Sequence, residues 1–246
     1  MNRYAIEVSD VTKRFGRTEV LHGITMAVRP GEIMGLVGPS GCGKTTLVDM
    51  VMGLSVPTSG SVLLSGEPAP FPTARTTLGC MPQDTALYED ITADENIAFF
   101  GALYGLRGTQ LADRKKQALS AAHLGDESKK TVSSFSGGMK RRLSLAVALL
   151  CAPKILVMDE PTVGLDPVHR AALWSEFHAL AKSGSALLVT THIMDEATRC
   201  DRVAMMRDGR IICCDKPDAI IASTGCANLE DAFVLLASNS KEARYA

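Results

Sequence analysis

Residues 33–45 read Ile33-Met34-Gly35-Leu36-Val37-Gly38-Pro39-Ser40-Gly41-Cys42-Gly43-Lys44-Thr45. The first part is a short, nearly unbroken apolar run entering glycines, as expected of a strand buried on both faces. The second part fits G-x-x-x-x-G-K-[ST] and leads directly into a helical run. Glycines let the backbone wrap phosphates, so that amide N–H groups and a helix N-terminus face the anion. Lys44 brings a positive charge to β- and γ-phosphates, Thr45 offers a hydroxyl ligand to Mg²⁺, and Thr46 is placed to donate to the α-phosphate. A glycine-rich turn without a ligand is the plain alternative, and the strand–loop–helix context weighs against it.

Working outward, Ile6 and Val8 alternate with polar neighbours, as do Ile24, Met26 and Val28 before the turn signal Pro30-Gly31. Residues 62–64 add a short strand after Ser59-Gly60. Residues 154–158 and 186–190 are two more buried-strand runs, and a helical stretch from Pro167 to about Lys182 separates them. Strand, helix and strand again is the pattern of a parallel sheet. Residues 203–206 and 210–212 flank Asp208-Gly209 and read as a hairpin with a primed turn. The middle of the chain is different. Residues 92–104 and 111–123 have helical composition punctuated by Gly105, Gly108 and Gly125. Residues 137–150 place Leu143, Ala146, Val147 and Leu150 at i, i+3, i+4, i+7, with Pro153 as terminator. Leu229, Phe233 and Leu236 give a C-terminal helix an apolar face.

The organisation expected is therefore one α/β domain over residues 1–246. A mostly parallel sheet with flanking helices, preceded by an antiparallel β-subdomain, takes residues 1–83 and 151–223. A helical subdomain is inserted at residues 84–150, and residues 224–246 form the C-terminal helix. At 246 residues the chain has room for one large domain or two modest ones. Its 46% apolar and 22% charged composition is ordinary for a globular protein. A formal net charge of -1 argues against electrostatic binding of nucleic acid or of an anionic membrane. No apolar run approaches the roughly 18 residues of a spanning helix, and the first ten residues carry Arg3 and Glu7 rather than a signal-like core. A soluble chain is expected. Its seven cysteines, odd in number and without metal-ligand spacing, fit free thiols in a reducing compartment. The adjacent Cys213 and Cys214 read as strand neighbours on opposite faces rather than a redox pair.

Residues 154–158 end in Asp159-Glu160. Asp159 suits Mg²⁺ binding, directly or through water, and Glu160 suits action on an attacking water. Together with the phosphate loop these carboxylates indicate a nucleoside triphosphatase. Ser136-Gly137-Gly138 narrows the reading, because a Ser-Gly-Gly run opening a helix is a second anion-binding N-terminus. One subunit with a phosphate loop has little use for it. Two subunits facing head to tail would bury ATP between one chain's phosphate loop and the other's Ser-Gly-Gly.

With these motifs in order, nearly the whole chain resembles the nucleotide-binding subunits of the ATP-binding cassette (ABC) transporters, whose core has the P-loop NTPase fold. Phe135-Ser136-Gly137-Gly138-Met139 resembles that family's signature, with Phe for the leading Leu and Met for the usual Gln. The resemblance implies that Phe15 stacks on adenine and that Gln83 in Met81-Pro82-Gln83 touches Mg²⁺ and water while linking to the helical insert. It implies that Asp166 in Val163-Gly164-Leu165-Asp166 belongs to a loop crossing the dimer interface, and that His192 contacts the γ-phosphate. Taken singly, Phe15 is also a plausible strand-end hydrophobe and His192 a structural histidine. His22, His123, His169 and His178 lack such context and are read as surface or packing residues. Lys129-Lys130 and Lys140-Arg141-Arg142 read as solvated charge runs.

The implied partners are a second cassette, in a homodimer, and an integral membrane permease at the inner face of the cell membrane; no nucleic acid is implied. Residues 87–92, Glu95-Asn96, residues 99–105, and residues 164–170 with Leu173-Trp174 resemble the multidrug and polysaccharide exporter group. The long C-terminal regulatory domain of many sugar importers is not seen. An exporter is expected, with an importer subunit and a soluble, non-transport ABC ATPase as alternatives. A GTPase or kinase gives no reason for Ser136-Gly137-Gly138.

Overall fold

The computed structural model describes residues 3–69 and 77–245, with side chains through residue 239. The apolar run that leads into the phosphate loop forms β3 (Ile33–Val37), buried at every position. It lies inside a six-stranded sheet of order β10-β9-β3-β8-β7-β6, made of β6 (Leu78–Met81), β7 (Ile155–Asp159), β8 (Ala186–Thr191), β9 (Arg202–Arg207) and β10 (Arg210–Asp215) around it. β6, β7, β8, β3 and β9 pair in parallel, and β10 returns antiparallel at the edge. The β9–β10 turn is the primed one expected, with φ of 45° at Asp208 and 71° at Gly209.

The strands sort their side chains with period two between two cores. Met34, Leu36, Ile155, Val157, Ala186 and Leu188 pack on one face; Ile33, Val37, Leu156, Met158, Leu187 and Val189 pack on the other. The first face is covered by α1 (Lys44–Val51) and by a four-stranded antiparallel sheet of order β2-β1-β4-β5. That sheet contains β1 (Ile6–Phe15), β2 (Thr18–Val28), β4 (Ser59–Leu64) and β5 (Glu67–Pro68). Its alternating Ile6, Val8, Ile24, Met26 and Val28 point inward, as their pattern predicted.

A third core comes from the helical insert: α2 (Ala93–Leu103), α3 (Gly108–Ala121) and α4 (Gly137–Leu149). With the residues flanking α4 they bury Ile97, Leu119, Phe135, Leu143, Ala146, Val147 and Leu150 in a cluster separate from those of the sheet. Thr92 and Glu95 form a reciprocal capping box at the start of α2. On the sheet's other face lies α5 (Pro167–Lys182), whose Trp174 and Phe177 are fully enclosed. The short α6 (Met194–Ala197) follows β8, and two helices, α7 (Pro217–Thr224) and α8 (Leu229–Tyr245), close the chain.

α7 was not anticipated. It lies before the stretch read as the C-terminal helix and stops where Gly225 adopts φ 67°, and α8 then starts at Leu229. Glycine there supplies the left-handed C-terminal stop that a β-carbon disfavours. β6 was not anticipated either; it is only four residues long and its Gly79 lies where a β-carbon would sit 2.4 Å from the Ala148 carbonyl oxygen of α4. Cys213 and Cys214 do face opposite cores, and all seven cysteines are free. Among the described residues no single helix is long and apolar enough to cross a membrane.

Candidate active site

Parallel strands bring their C-terminal ends to one edge of the sheet, where ligands of open α/β sheets bind. The loop from β3 carries Gly38 to Thr46, β7 ends in Asp159-Glu160, β8 runs into His192, and β6 runs into Gln83.

The loop is packed tightly from below. A β-carbon on Gly38 would meet the Met206 carbonyl oxygen at 2.1 Å, and one on Gly43 would meet Leu21 Cδ2 at 2.6 Å. Gly43 caps α1 with φ 105° and no side chain bonds the first turn. The helix's leading N–H groups are therefore left for an anion. Lys44 is 6% exposed, and its Nζ donates to the carbonyls of Gly38 at 2.7 Å and Pro39 at 3.1 Å. Cys42 is enclosed beside it, and burial pushes its thiol pKa up.

Asp159 is 2% exposed and accepts from both sides. The Thr45 hydroxyl donates to its Oδ2 at 3.0 Å, and the Thr190 hydroxyl donates to its Oδ1. Thr190 Oγ1 in turn accepts the Glu160 N–H at 2.9 Å. Glu160 needs that anchor, because its φ of 51° is left-handed, a conformation costing a non-glycine residue about 1 kcal/mol or more. The bend turns its carboxylate to within 3.0 Å of His192 Nδ1. A cavity of about 210 Å³ is lined by Ser40, Gly41, Gly43, Lys44, Thr45, Thr46, Gln83 and Glu160 together with Val20. Hydroxyl, carboxylate and amide oxygens are the donors of a hard cation such as Mg²⁺, which takes few protein ligands beside phosphate oxygens.

Ser136 and its glycines do not join this cavity. They line a second one, about 230 Å³, with Met139, Arg142, Gly164, Leu165, Asp166 and His169. Ser136 Oγ accepts the Met139 N–H at 3.2 Å as the cap of α4, which leaves its own hydroxyl proton free to donate. Asp166 caps α5 by accepting from Val168 N–H at 3.0 Å and His169 N–H at 3.1 Å. It also pairs with the His169 ring, and these His169 bonds hold its carboxyl down at about 2. Phe15 lines neither cavity; it is 55% exposed, with the Lys13 ammonium 5.0 Å from the ring centre.

Three residues that the motif reading missed hold these loops together. Arg141, read as part of a solvated run, is 6% exposed. Its guanidinium donates to the carbonyls of Pro82 at 3.3 Å and Asp159 at 2.6 Å, and to those of Gln83 and Glu160. Burial pushes its pKa down, and the charges of Asp159, Glu160 and Asp84 oppose that shift. Its neighbours are tied too: Lys140 pairs with Glu89 at 2.6 Å and Arg142 donates to the His123 carbonyl at 2.8 Å. The solvated-run reading holds for Lys129 and Lys130, which are exposed, and fails for Arg141. The signal was available, since Arg141 lies four and seven residues before the buried Leu145 and Ala148. Thr190 is the second residue. The third is Glu196, 2% exposed, which accepts from Thr162 at 2.7 Å and Thr191 at 3.1 Å and faces Arg170 Nε at 3.4 Å.

The family model described as ABC transporter matches residues 21–163, more than half the chain. A "Nod factor export ATP-binding protein I" from Paraburkholderia xenovorans is 42% identical over 234 residues, covering 94% of this chain and 77% of that protein. A solved structure titled as the ATP-binding subunit of an ABC transporter superposes with a TM-score of 0.86 at 30% identity, covering 95% of this chain and 99% of that one. The cassette MJ0796, a dimer in a post-hydrolysis state bound to ADP and phosphate, superposes with a TM-score of 0.79 at 25% identity, covering 86% and 98%. Phosphate loop, parallel sheet, inserted helices and these likenesses agree, and the chain belongs to the ABC transporter family as an ATP-binding subunit that hydrolyses ATP to power transport.

Proposed function

We propose that this chain powers export through a separate membrane permease, and that two copies pair head to tail to share their ATP sites. One observation carries the pairing: the Lys44 loop and the Ser136-Gly137-Gly138 helix start line separate cavities with no residue in common. Each is half of an anion site. A second copy turned about a two-fold axis sets one chain's Ser136 hydroxyl and glycine amides against the phosphates held by the other's Lys44, and the arrangement repeats at the second site. The MJ0796 dimer supports this reading.

Within a site, the free N–H groups of α1 and the Lys44 ammonium take the β- and γ-phosphates. Phe15, exposed and cation-backed, takes the adenine ring. Glu160 accepts a proton from the attacking water as its oxygen bonds to the γ-phosphorus and the bond to the β–γ bridging oxygen breaks, with ADP as the leaving group; His192, hydrogen-bonded to Glu160, holds its carboxylate in place and faces the γ-phosphate. Thr45, Asp159 and Gln83 would hold Mg²⁺, which neutralises phosphate charge when bound. Asp166 and His169 face the partner from the rim of the second cavity.

Docking to the permease falls to the insert. Tyr88 is 51% and Phe99 41% exposed, with their rings stacked edge to face at 4.9 Å. Phe100 is drawn partly into the insert's core. Exposed aromatics of this kind are common anchors of protein interfaces. The assignment of export, from the inner face of the cell membrane, draws on the exporter-like run at residues 87–105 and on the printed name of the relative in Paraburkholderia.

The pairing is tested by mixing Lys44→Ala chains with Ser136→Arg chains. Each alone lacks an intact shared site, whereas a mixed dimer has one, so ATPase activity should return to roughly a quarter of wild type at equal amounts. Full activity of either variant alone refutes the shared site. With the permease present, inside-out vesicles should take up substrate on addition of ATP; movement only in the reverse direction refutes export.

A further inference from the structure

Arg141 is the fifth residue of α4, just beyond one helical turn from Ser136, yet its guanidinium reaches across to the main chain of two other segments. It donates to Pro82 and Gln83 at the end of β6, and to Asp159 and Glu160 at the end of β7. These four carbonyls belong to the loop that carries Gln83 and to the strand end that carries Glu160. A planar fork holds several donors at fixed, spread positions and so can bridge two chain segments in one geometry; an ammonium's three donors leave a single atom and rotate freely. The position is costly, since an ionised group is held at 6% exposure with its Nε left without a hydrogen-bond partner. Main-chain stability does not require that cost, because β6 and β7 are already paired along their full register, from Leu78 with Ile155 to Met81 with Met158. The guanidinium acts just beyond the last pair, where the ladder ends and the reacting groups begin.

We infer that Arg141 is a positioning residue for ATP hydrolysis: it fixes the Gln83 and Glu160 main chain to the helix that opens with Ser136. Glu160 is the sensitive partner. Its left-handed φ is held by Thr190 on the N–H and, on the carbonyl, by Arg141 and by a long 3.4 Å bond from the Val163 N–H. Removing the guanidinium leaves that end of the bend on the long Val163 bond alone, and the carboxylate no longer stays where it meets His192. The phosphate loop has no bond to Arg141, so nucleotide affinity is not expected to follow. The same link gives the Ser136 helix a direct mechanical hold on both catalytic loops of its own chain.

The inference rests on the assignment of Glu160 to the attacking water, and a double-mutant cycle separates the two. Arg141→Ala should lower kcat by ~10-fold to 100-fold, within the worth of a positioned general base. Its KM for ATP, and its affinity for a fluorescent ATP analogue, should stay within about threefold of wild type. In a Glu160→Gln background, Arg141→Ala should add less than about threefold, because a displaced carboxylate cannot be lost twice. Arg141→Lys should restore little of the rate, since it keeps the charge and not the fork. Wild-type turnover by Glu160→Gln overturns the Glu160 assignment and the inference with it. If Glu160→Gln is inactive while Arg141→Ala turns over normally, raises KM alone, or multiplies the Glu160→Gln loss in full, only the Arg141 inference fails. Arg141→Gln provides a milder variant should Arg141→Ala unfold; loss of a cooperative melting transition in both makes the residue part of the fold and overturns the proposal.

Discussion

Replacing Thr190 by valine changes one hydroxyl into a methyl at a site with no solvent access. Thr190 is 0% exposed and lies between two groups that matter, donating to Asp159 Oδ1 and accepting from Glu160 N–H at 2.9 Å. Valine keeps the volume and the β-branch, so packing is not the variable. Two losses remain. A buried hydrogen bond to a charged carboxylate is worth about 1.5–3 kcal/mol, and a buried N–H left unmatched costs about 1–3 kcal/mol. Part of this returns as the Glu160 backbone relaxes from its left-handed φ, which relieves about 1–2 kcal/mol. A net destabilisation of about 2–4 kcal/mol is expected. With a denaturant slope of roughly 2–3 kcal/mol/M in urea, the unfolding midpoint should fall by about 1 M.

The relaxation carries a catalytic cost, because the bend it releases holds the Glu160 carboxylate against His192. Thr190→Val should therefore lose turnover as well as stability, whereas Thr190→Ser, which loses only a methyl group, should cost ~1 kcal/mol and keep most of its rate. Urea unfolding and steady-state ATP hydrolysis measured on the same preparations decide the matter. A Thr190→Val protein within about 0.5 kcal/mol of wild type, or a Thr190→Ser protein as damaged as Thr190→Val, refutes the relay.

Two further outcomes follow from proton affinities. Burial pushes the Cys80 and Cys200 thiols up to about 12, so mass spectrometry after iodoacetamide treatment near neutral pH should find both unmodified in folded protein and modified once it is unfolded; rapid labelling of either in the native state contradicts the burial. Asp166 has its carboxyl lowered to about 2 by the His169 bonds. Its native pKa lies below the unfolded one, so its capping contribution is present above about pH 4 and lost as pH falls through about 2. A carboxyl resonance for Asp166 that titrates at or above the ordinary aspartate value refutes that environment.

What was legible in the sequence is what neighbouring residues do together. A phosphate loop binds through consecutive amides, so Gly38 to Thr46 announce themselves. Asp159-Glu160 follow an apolar run, and Ser136 precedes glycines and a helix with i, i+4 spacing. The cores were legible for the same reason: β3, β7 and β8 are buried at every position and open with apolar runs, and α5 begins at Pro167 behind its Asp166 cap. β6 escaped because four residues including a glycine carry no period to detect.

The residues that hold the motifs in place left a different kind of trace. Arg141 bonds carbonyls 58 and 19 positions away, Thr190 bonds groups 31 and 30 positions away, and Glu196 bonds a hydroxyl 34 positions away. A carbonyl has no side-chain identity, so a donor that serves it leaves no partner residue to look for in the sequence. What remains is misplacement: an arginine on the buried face of a helix, a threonine inside an apolar strand, a glutamate at a helix's buried end. Each violates the local pattern, and each is satisfied by a loop carrying a reacting group. Such exceptions to an otherwise regular pattern therefore mark where the catalytic loops are tied. The consequence can be checked on Glu196: Glu196→Gln keeps the shape but removes the charge facing Arg170, and because Arg170 also donates to the Leu165 carbonyl at 3.3 Å, the loop bearing Asp166 should loosen before the phosphate loop does.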